Sequence, residues 1–338
     1  MNSNETTRLH RIETGDWVGS AWRSSPKWTP YAQAIADHYP IQVPWYSTHT
    51  VTPNNVNSIP TVVVTRPNLY DVLIVGASAA VISVGDPTFS QIGLFGLQVT
   101  HKQTGIPWVA PNTIGFSPFA AFAGINLNPT PIIKLPEAFF LPARTQLKME
   151  WVKLTDAATS AYTIIFTFVG VQLVNHASGF QAPEWITMPN GNTIPVGSRL
   201  PWFGTIPFGT RNAAGRVFGA YSLNQGQQVV QFLPPSDCSV EIHDAYTNVE
   251  TGSTFGDSPI LLTMKITDMR AVSDWTPGLT PVTAVFGNET QVFPDLPFTK
   301  PHLLKVGHRT AITMQNNSTA VQALSGTVTL RGVRLCEY

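Results

Sequence analysis

The sequence predicts an all-β protein made of two related β-sandwich domains in tandem. Short runs of β-branched and aromatic residues recur along the chain, and turns rich in Pro and Gly separate them, which is the pattern of sandwiches and barrels. The order of features in the first half also returns in the second half. The 338 residues are enough for two domains of ordinary size, each with its own hydrophobic core.

Residues 1–58 are predicted to form an irregular N-terminal arm with one short helix. This segment contains four of the nine tryptophans and few strand signals. Thr29 can cap a helix, Pro30 suits its first turn, and residues 31–39 follow before Pro40 ends it. The arm either reaches a neighbouring subunit, with Trp side chains as anchors, or packs on its own domain.

The first sandwich domain is predicted over residues 59–176. Residues 146–154 are predicted to form a strand in which apolar and charged side chains alternate from position 147 to 151, so Leu147, Met149 and Trp151 share one face. The other strands predicted for this domain are residues 61–65, 69–77, 79–84, 94–100 and 162–174.

Residues 177–215 are predicted to connect the two domains. They are rich in Pro, Gly, Asn and Trp, and the prolines would interrupt any long helix or strand. The segment is either an ordinary linker or an ordered excursion on the surface, and its length favours the excursion. The second β-sandwich domain is predicted over residues 216–338.

The two halves share an order of residues that indicates an internal duplication. In each half a proline precedes an arginine, a strand, a polar loop and a closing strand that ends in Gly-Val-x-Leu, beginning at Gly170 and Gly332. Residues 97–100 also resemble residues 264–267. Three pairs of residues lie 165 positions apart: Pro136 and Pro301, Arg144 and Arg309, and Met149 and Met314. Two copies predict two neighbouring domains rather than a solenoid.

Two segments resemble parts of bacteriophage virion proteins: residues 140–147, Phe-Leu-Pro-Ala-Arg-Thr-Gln-Leu, and residues 163–170, Thr-Ile-Ile-Phe-Thr-Phe-Val-Gly. The two β-rich halves together resemble the double jelly-roll coat proteins of tailless viruses, and also the capsid decoration, collar or tail-associated proteins of tailed phages. The resemblance implies two jelly-roll-like β-sandwich domains and a location in the virion. For a coat protein it implies three two-domain subunits in each pseudo-hexameric capsomer, and it assigns no functional residue.

We therefore expect a structural protein of a virus particle. The virus is expected to be a bacteriophage, and the protein is expected to assemble as a capsid or capsid-associated component. The expected partners are copies of the same chain in a symmetric homo-oligomer, a trimer or a pentamer, and other virion proteins. The alternative is a receptor- or carbohydrate-binding appendage of the virion.

The charge of the chain is low and balanced. Charged residues make up 12% of the sequence, and the 20 basic residues are balanced by 20 acidic residues. This supplies no basic cluster for nucleic acid, and zero net charge favours self-association. Residues 1–16 have no apolar stretch of a secretory signal, and five prolines interrupt the longest uncharged segment, residues 103–133, so no transmembrane segment is expected.

No catalytic, cofactor-binding or metal-binding motif is present in the sequence, and an enzyme is not expected. The best candidate for a metal or acid/base cluster is Glu241, His243 and Asp244. Strand alternation would place Glu241 and His243 on one face with Asp244 opposite, and a solvated strand end is the favoured interpretation. His302 and His308 are interpreted as surface or interface residues.

The carboxylates that a glycosidase would need are scattered along the sequence. Asp257, Asp268 and Glu289 are therefore interpreted as turn residues rather than as a catalytic pair.

Two further residue types leave alternatives open. Trp185, Trp202 and Trp275 would stack on sugar rings in a carbohydrate-binding protein, but loop tryptophans more often pack on protein. Cys238 and Cys336 either pair or are buried as small hydrophobic residues.

Overall fold

The computed structural model of the protein describes most of the chain. The described residues are 16–18, 21–23, 29–53, 60–83, 95–110, 116–125, 132–153, 162–176, 178–208, 223, 225–233, 237–251, 254–255, 262–271, 273–276, 278–281, 301–317 and 324–336.

The described elements are almost all β-strands. The N-terminal elements are a hairpin of β1 (Asp16–Val18) and β2 (Ala21–Arg23) and the helix α1 (Pro30–Ala36). The first half continues with β3 (Ile41–Val51), β4 (Thr61–Val64), β5 (Asp71–Ser83), β6 (Phe95–His101), β7 (Ser117–Pro118), a 3-10 turn (Phe119–Ala121), β8 (Gly124–Ile125), β9 (Ile133–Leu141), β10 (Leu147–Lys153) and β11 (Tyr162–Val174).

A short hairpin separates the halves, and the second half repeats the strand-rich pattern. The hairpin consists of β12 (Trp185–Thr187) and β13 (Thr193–Pro195). The remaining strands are β14 (Arg199–Phe208), β15 (Gln228–Leu233), β16 (Ser239–Thr251), β17 (Thr254–Phe255), β18 (Leu262–Asp268), β19 (Ser273–Asp274), β20 (Thr280–Pro281), β21 (His302–Leu304), β22 (Thr310–Asn316) and β23 (Leu324–Leu335).

The strands of the first half pair in the nested order of a jelly roll. β3 pairs with β11, β4 with β10, β5 with β9 and β6 with β7, so the first strand meets the last and each inner pair lies within the previous one. The pairs β5–β11 and β6–β10 join them into two facing sheets, β3-β11-β5-β9 and β4-β10-β6-β7. This is the double-sheet arrangement of a jelly roll.

The second half has the same topology. β14 pairs with β23, β15 with β22, β16 with β21 and β18 with β19, and the two sheets are β14-β23-β16-β21 and β15-β22-β18-β19. The sequence-based prediction of an all-β fold with two related jelly-roll-like sandwiches is confirmed.

The predicted helix is present, and its cap is the one the sequence indicated. The Thr29 side chain accepts a hydrogen bond from the Ala32 backbone N–H at 3.2 Å, and Pro30 occupies the first turn. The helix ends at Ala36, three residues before the predicted end. Ile35 and Ala36 are fully buried, so the helix packs on its own chain.

The prediction of an irregular arm is wrong for residues 41–51. These residues form β3, which pairs with β11 over its whole length and belongs to the first jelly roll. The strand was missed because it carries Pro44 and several polar residues. β3 lies at the end of its sheet, where one side of the backbone has no partner strand, so a proline is accepted there and the outer side chains can remain polar.

The prediction of a proline-broken connector is wrong for residues 199–208 for the same reason. These residues form β14, the first strand of the second jelly roll, although Pro201 and Pro207 lie within it. β14 pairs with β23 at the end of its sheet and therefore tolerates both prolines. Residues 209–215 of the predicted connector lie outside the described residues.

The predicted internal repeat has a structural counterpart. Met149 in β10 and Met314 in β22 are both fully buried in the next-to-last strand of their jelly rolls. Met149 lies opposite Val99, and Met314 lies opposite Met264. Val99 rather than Leu97 therefore corresponds to Met264, so the alignment of residues 97–100 with residues 264–267 was wrong by two residues. Because side chains alternate along a strand, a shift of two leaves the same face of β6 buried.

Candidate functional site: the junction between the jelly rolls and their outer edges

The apolar core of the first jelly roll extends to side chains of the second at their junction. Phe203 of β14 is fully buried, and its ring centroid lies 4.1 Å from that of Phe122 in the first jelly roll. Phe203 also donates its N–H to the Trp108 carbonyl at 3.0 Å and accepts from the Ala110 N–H at 2.9 Å. The first strand of the second jelly roll is thus bonded to a loop of the first.

A buried carboxylate lies on the polar side of this junction. Glu137 in β9 is 2% exposed, and its Oε2 accepts a hydrogen bond from Arg199 Nε at 2.9 Å. Arg199 Nη2 also donates to Glu241 Oε2 of β16 at 2.8 Å, and the Thr29 hydroxyl donates to Glu137. A buried charge is tolerated only when it is paired and hydrogen-bonded, and Arg199 meets this need from between the two jelly rolls.

Charge pairing also shifts the pKa values of Arg199 and Glu241. Burial lowers the pKa of Arg199, but the neighbouring Glu137 and Glu241 outweigh it and raise the pKa above its ordinary value. Interaction with His243, whose Nε2 lies 3.8 Å from Glu241 Oε2, together with Arg199 holds the pKa of Glu241 at about 2, against burial. The junction therefore favours the charged forms of the Glu241 carboxylate and the Arg199 guanidinium.

A second arginine of the second jelly roll also reaches the first, and it forms an ion pair within its own jelly roll. Arg331 of β23 is almost completely buried, and its Nε lies 3.4 Å from Asp244 Oδ1. The same guanidinium donates to the backbone carbonyl of Lys134 in β9. Burial raises the pKa of Asp244 and outweighs the opposing charge of Arg331. β9 of the first jelly roll thus receives hydrogen bonds from two arginines of the second.

The sequence-based interpretation of Glu241, His243 and Asp244 as a solvated strand end is wrong. The three residues lie within β16 at the junction. The pairing of β16 with β23 skips His243, which forms a β-bulge, so Asp244 joins Glu241 on the side that faces the first jelly roll instead of lying opposite. In the described part of the chain, no three His, Cys, Asp or Glu side chains gather as a metal site.

A chain of buried hydroxyl groups also links the two jelly rolls. Ser117 of β7 shares a hydrogen bond with Thr205 of β14, and Thr205 shares another with Thr329 of β23 at 3.0 Å. Helix α1 adds a contact, since the Tyr31 hydroxyl accepts the Gly197 N–H at 2.7 Å. Burial raises the pKa of Tyr31 to about 12.

Sequence reasoning missed Glu137 and Arg199, although the sequence contains a signal for the first. Glu137 is the acidic residue of a nine-residue strand that is otherwise mainly apolar. A carboxylate in such a strand indicates a buried charge with a partner, because Glu is almost never buried unpaired. Its partner lies 62 positions away and could not be identified from the pattern.

The other predicted candidates lie apart from the junction. His308 Nδ1 lies 3.1 Å from Asp268 Oδ2 in the second jelly roll, and the His302 ring stacks on Trp275 at 4.7 Å. Asp268 also accepts two backbone N–H groups, as expected of a turn residue. Asp257 and Glu289 lie outside the described residues.

The three tryptophans offered for sugar stacking differ in exposure. Trp202 is buried in the second core, and Trp275 is partly buried against it. Trp185, in the β12–β13 hairpin, is 56% exposed.

The outer edge strands carry exposed apolar side chains in both jelly rolls. β4 and β15 are the second strands of their jelly rolls, and each lies at the end of its sheet among the described strands. Val64 is 38% exposed, and Val230 is 46% exposed. They occupy equivalent positions, since Val64 lies opposite Lys148 and Val230 opposite Thr313. Val62 and Phe232 on the same strands are about half exposed.

No protein-family model matches the sequence, and no curated protein matches it. Among solved structures, a chain of the Sulfolobus turreted icosahedral virus is 11% identical, with 88% of this chain and 92% of that chain covered and a TM-score of 0.40. PNGF-II is 12% identical, with 88% and 66% covered and a TM-score of 0.32. The CUB1-EGF-CUB2 domain of human MASP-1/3 is 7% identical, with 85% and 99% covered and a TM-score of 0.20.

Within the described part of the chain, no helix combines the length and the apolar character that crossing a bilayer requires.

Proposed function

We propose that this chain is a non-enzymatic structural subunit of a virus particle and that it assembles with copies of itself as a capsid or capsid-associated component. The supporting observation is the duplication of one jelly roll, with both copies joined into one body through a buried junction. Jelly rolls are a recurrent architecture of viral capsid domains, although lectin domains also use them.

The buried junction suits a building block that must keep its shape. Phe203 of the second jelly roll is buried in the core of the first, and two arginines of the second jelly roll bind β9 of the first. Interfaces between independent domains are generally more polar and permit relative motion. The apolar contact, the Arg199–Glu137 ion pair and the Arg331 hydrogen bond instead hold the two jelly rolls in one orientation, as repeated packing into a shell requires.

The edges of the jelly rolls provide surfaces for self-association. β4 and β15 present exposed valines at equivalent positions, and an unprotected apolar edge strand pairs readily with another chain. The low, balanced charge of the chain adds little repulsion between copies. We propose that the resulting oligomer is a trimer or a pentamer. The assignment to a bacteriophage rests on the resemblance of residues 140–147 and 163–170 to phage virion proteins.

The mass of the purified full chain, measured by light scattering across a concentration series, tests this proposal. We expect a discrete trimer or pentamer, or growth into larger shells that electron microscopy resolves. A monomer at every concentration would contradict the proposed self-assembly.

A receptor- or carbohydrate-binding appendage is the second candidate, and exposed Trp185 favours it. A Trp on a hairpin surface offers a flat apolar face for a sugar ring. A glycan screen would reveal binding that is lost in Trp185→Ala and retained in Tyr46→Ala, since Tyr46 is an equally exposed aromatic residue on β3. Equal binding by both variants, or no binding by the parent chain, would contradict this role.

A further inference from the structure

The two cysteines of the chain meet at the end of one strand pair. Cys238 directly precedes β16, and Cys336 directly follows β23. These strands are antiparallel, and Ser239 lies opposite Leu335, so the next position outward places Cys238 opposite Cys336. Their sulfur atoms are 3.6 Å apart, and both side chains are partly exposed.

This position satisfies the backbone requirement of a disulfide. Directly opposite residues of an antiparallel pair have Cα atoms about 4.5–5.5 Å apart, within the range of about 4.4–6.8 Å that disulfides span. The sulfur atoms have to approach from 3.6 Å to about 2.05 Å, a distance that rotation of the two side chains can cover. We propose that Cys238 and Cys336 are a redox-sensitive pair that forms an intramolecular disulfide under oxidising conditions.

A disulfide between Cys238 and Cys336 would lie beside the junction between the two jelly rolls. The Cys336 N–H donates to the Ser198 carbonyl at 2.8 Å, one residue before Arg199, and the Cys336 side chain packs against the core of the first jelly roll. An ion pair between Arg334 and Asp237 at 2.7 Å holds the two strand ends together from the side. The disulfide would fix the end of β23 to the start of β16 beside the junction.

The bond would also close a long loop. The two cysteines are 98 positions apart, and strands β16 to β23 lie between them. Cross-linking the ends of such a segment removes conformations from the unfolded chain, and the effect grows with loop length. The oxidised second jelly roll should therefore unfold at a higher temperature than the reduced one.

The chemistry needs an external oxidant, and a small-molecule disulfide such as oxidised glutathione supplies it. One cysteine thiolate attacks a sulfur of the reagent, which forms a mixed disulfide and releases one reagent thiol. The second cysteine, as thiolate, then attacks the sulfur of the first and releases the second reagent thiol. Two protein thiols are oxidised, one reagent disulfide is reduced to two thiols, and the two protons leave the cysteines. Burial raises the pKa of Cys336 to about 11, so the reaction should accelerate as the pH rises.

Intact-mass spectrometry of the full chain, after treatment with oxidised glutathione and removal of the reagent, tests the proposal directly. We expect a loss of about 2 Da, no alkylation by iodoacetamide, and one peptide pair linking Cys238 to Cys336 after digestion. A phosphine reductant should restore both alkylation sites. A chain that keeps two alkylatable thiols, retains a glutathione adduct or forms only intermolecular dimers would overturn the proposal.

Thermal unfolding supplies the functional measurement. The oxidised chain should melt at least about 5 °C above the reduced chain. Cys238→Ser and Cys336→Ser should each melt at the same temperature with and without oxidant, because either substitution removes one partner. Since the mass measurement uses the unaltered chain, it decides the matter even if a serine variant folds poorly. Equal melting of the oxidised and reduced parent chains would contradict the stabilising role.

Discussion

Gly170 and Gly332 occupy the same place in the two jelly rolls. Each lies in the last strand opposite a β-bulge in the third strand, where Val75 in one copy and His243 in the other is left unpaired by the ladder. A Cβ at Gly170 would collide with the Leu73 carbonyl oxygen, and a Cβ at Gly332 with that of Glu241. The repeated Gly-Val-x-Leu motif therefore marks a backbone contact that both copies require.

We expect Gly332→Ala to lower the free energy of unfolding by about 3 kcal/mol, because the methyl group forces the paired strands apart. Gly170→Ala should have a similar effect in the first jelly roll. Denaturant unfolding measures both. Gly105→Ala is the control, since nothing lies within 4 Å of its Cβ and only its left-handed backbone opposes alanine, at about 1 kcal/mol. Equal losses at Gly332 and Gly105 would show that the close approach is unimportant.

Arg199→Leu should destabilise the chain by about 3 kcal/mol, because it leaves the buried Glu137 without its cation. It should also separate the unfolding of the two jelly rolls into two transitions, visible by calorimetry. The control is Lys265→Leu, which breaks a surface ion pair with Asp274 and should change stability by less than about 1 kcal/mol. A single transition of unchanged stability in Arg199→Leu would contradict the role of the junction.

The parts of the fold that follow from local patterns were predictable from the sequence. Thr29 and Pro30 mark the start of α1, and the alternation around Met149 marks a strand with one buried face. The internal repeat indicated two related domains, because the glycine of each Gly-Val-x-Leu motif lies opposite the same β-bulge in its jelly roll. These signals depend on neighbouring residues, so a single sequence contains them.

The missed features depend on contacts between distant residues. β3 and β14 read as irregular because Pro44 and Pro201 are acceptable only at the end of a sheet, and the position in the sheet is set by tertiary pairing. The bulge at His243 reversed the expected side of Asp244. The sequence did not indicate which face of β4 is exposed, because a run of three valines is apolar on both faces.

Acid should weaken the junction in a defined pH range. The pKa of Glu241 is lowered from 4.5 to about 2, so its stabilising effect is complete above pH 4.5 and is lost as the pH falls towards 2. Glu241→Gln cannot titrate and should show a flatter decline of unfolding free energy across this range. The difference between the two proteins, measured by denaturant unfolding at several pH values, isolates this carboxylate from Asp268, whose pKa is also lowered. Parallel pH profiles would contradict the pairing.

Charged substitutions on the outer edges should reduce self-association without unfolding the chain. Lysine on an edge strand opposes pairing with another chain, because the ammonium group would have to lose its water and approach an identical charge. We expect the double variant Val64→Lys and Val230→Lys to shift the mass measured by light scattering towards the monomer. Leu69→Lys, at an exposed site outside the strands, should assemble like the parent chain. If the double variant is folded by circular dichroism and assembles fully, β4 and β15 are not the edges through which copies of this chain associate.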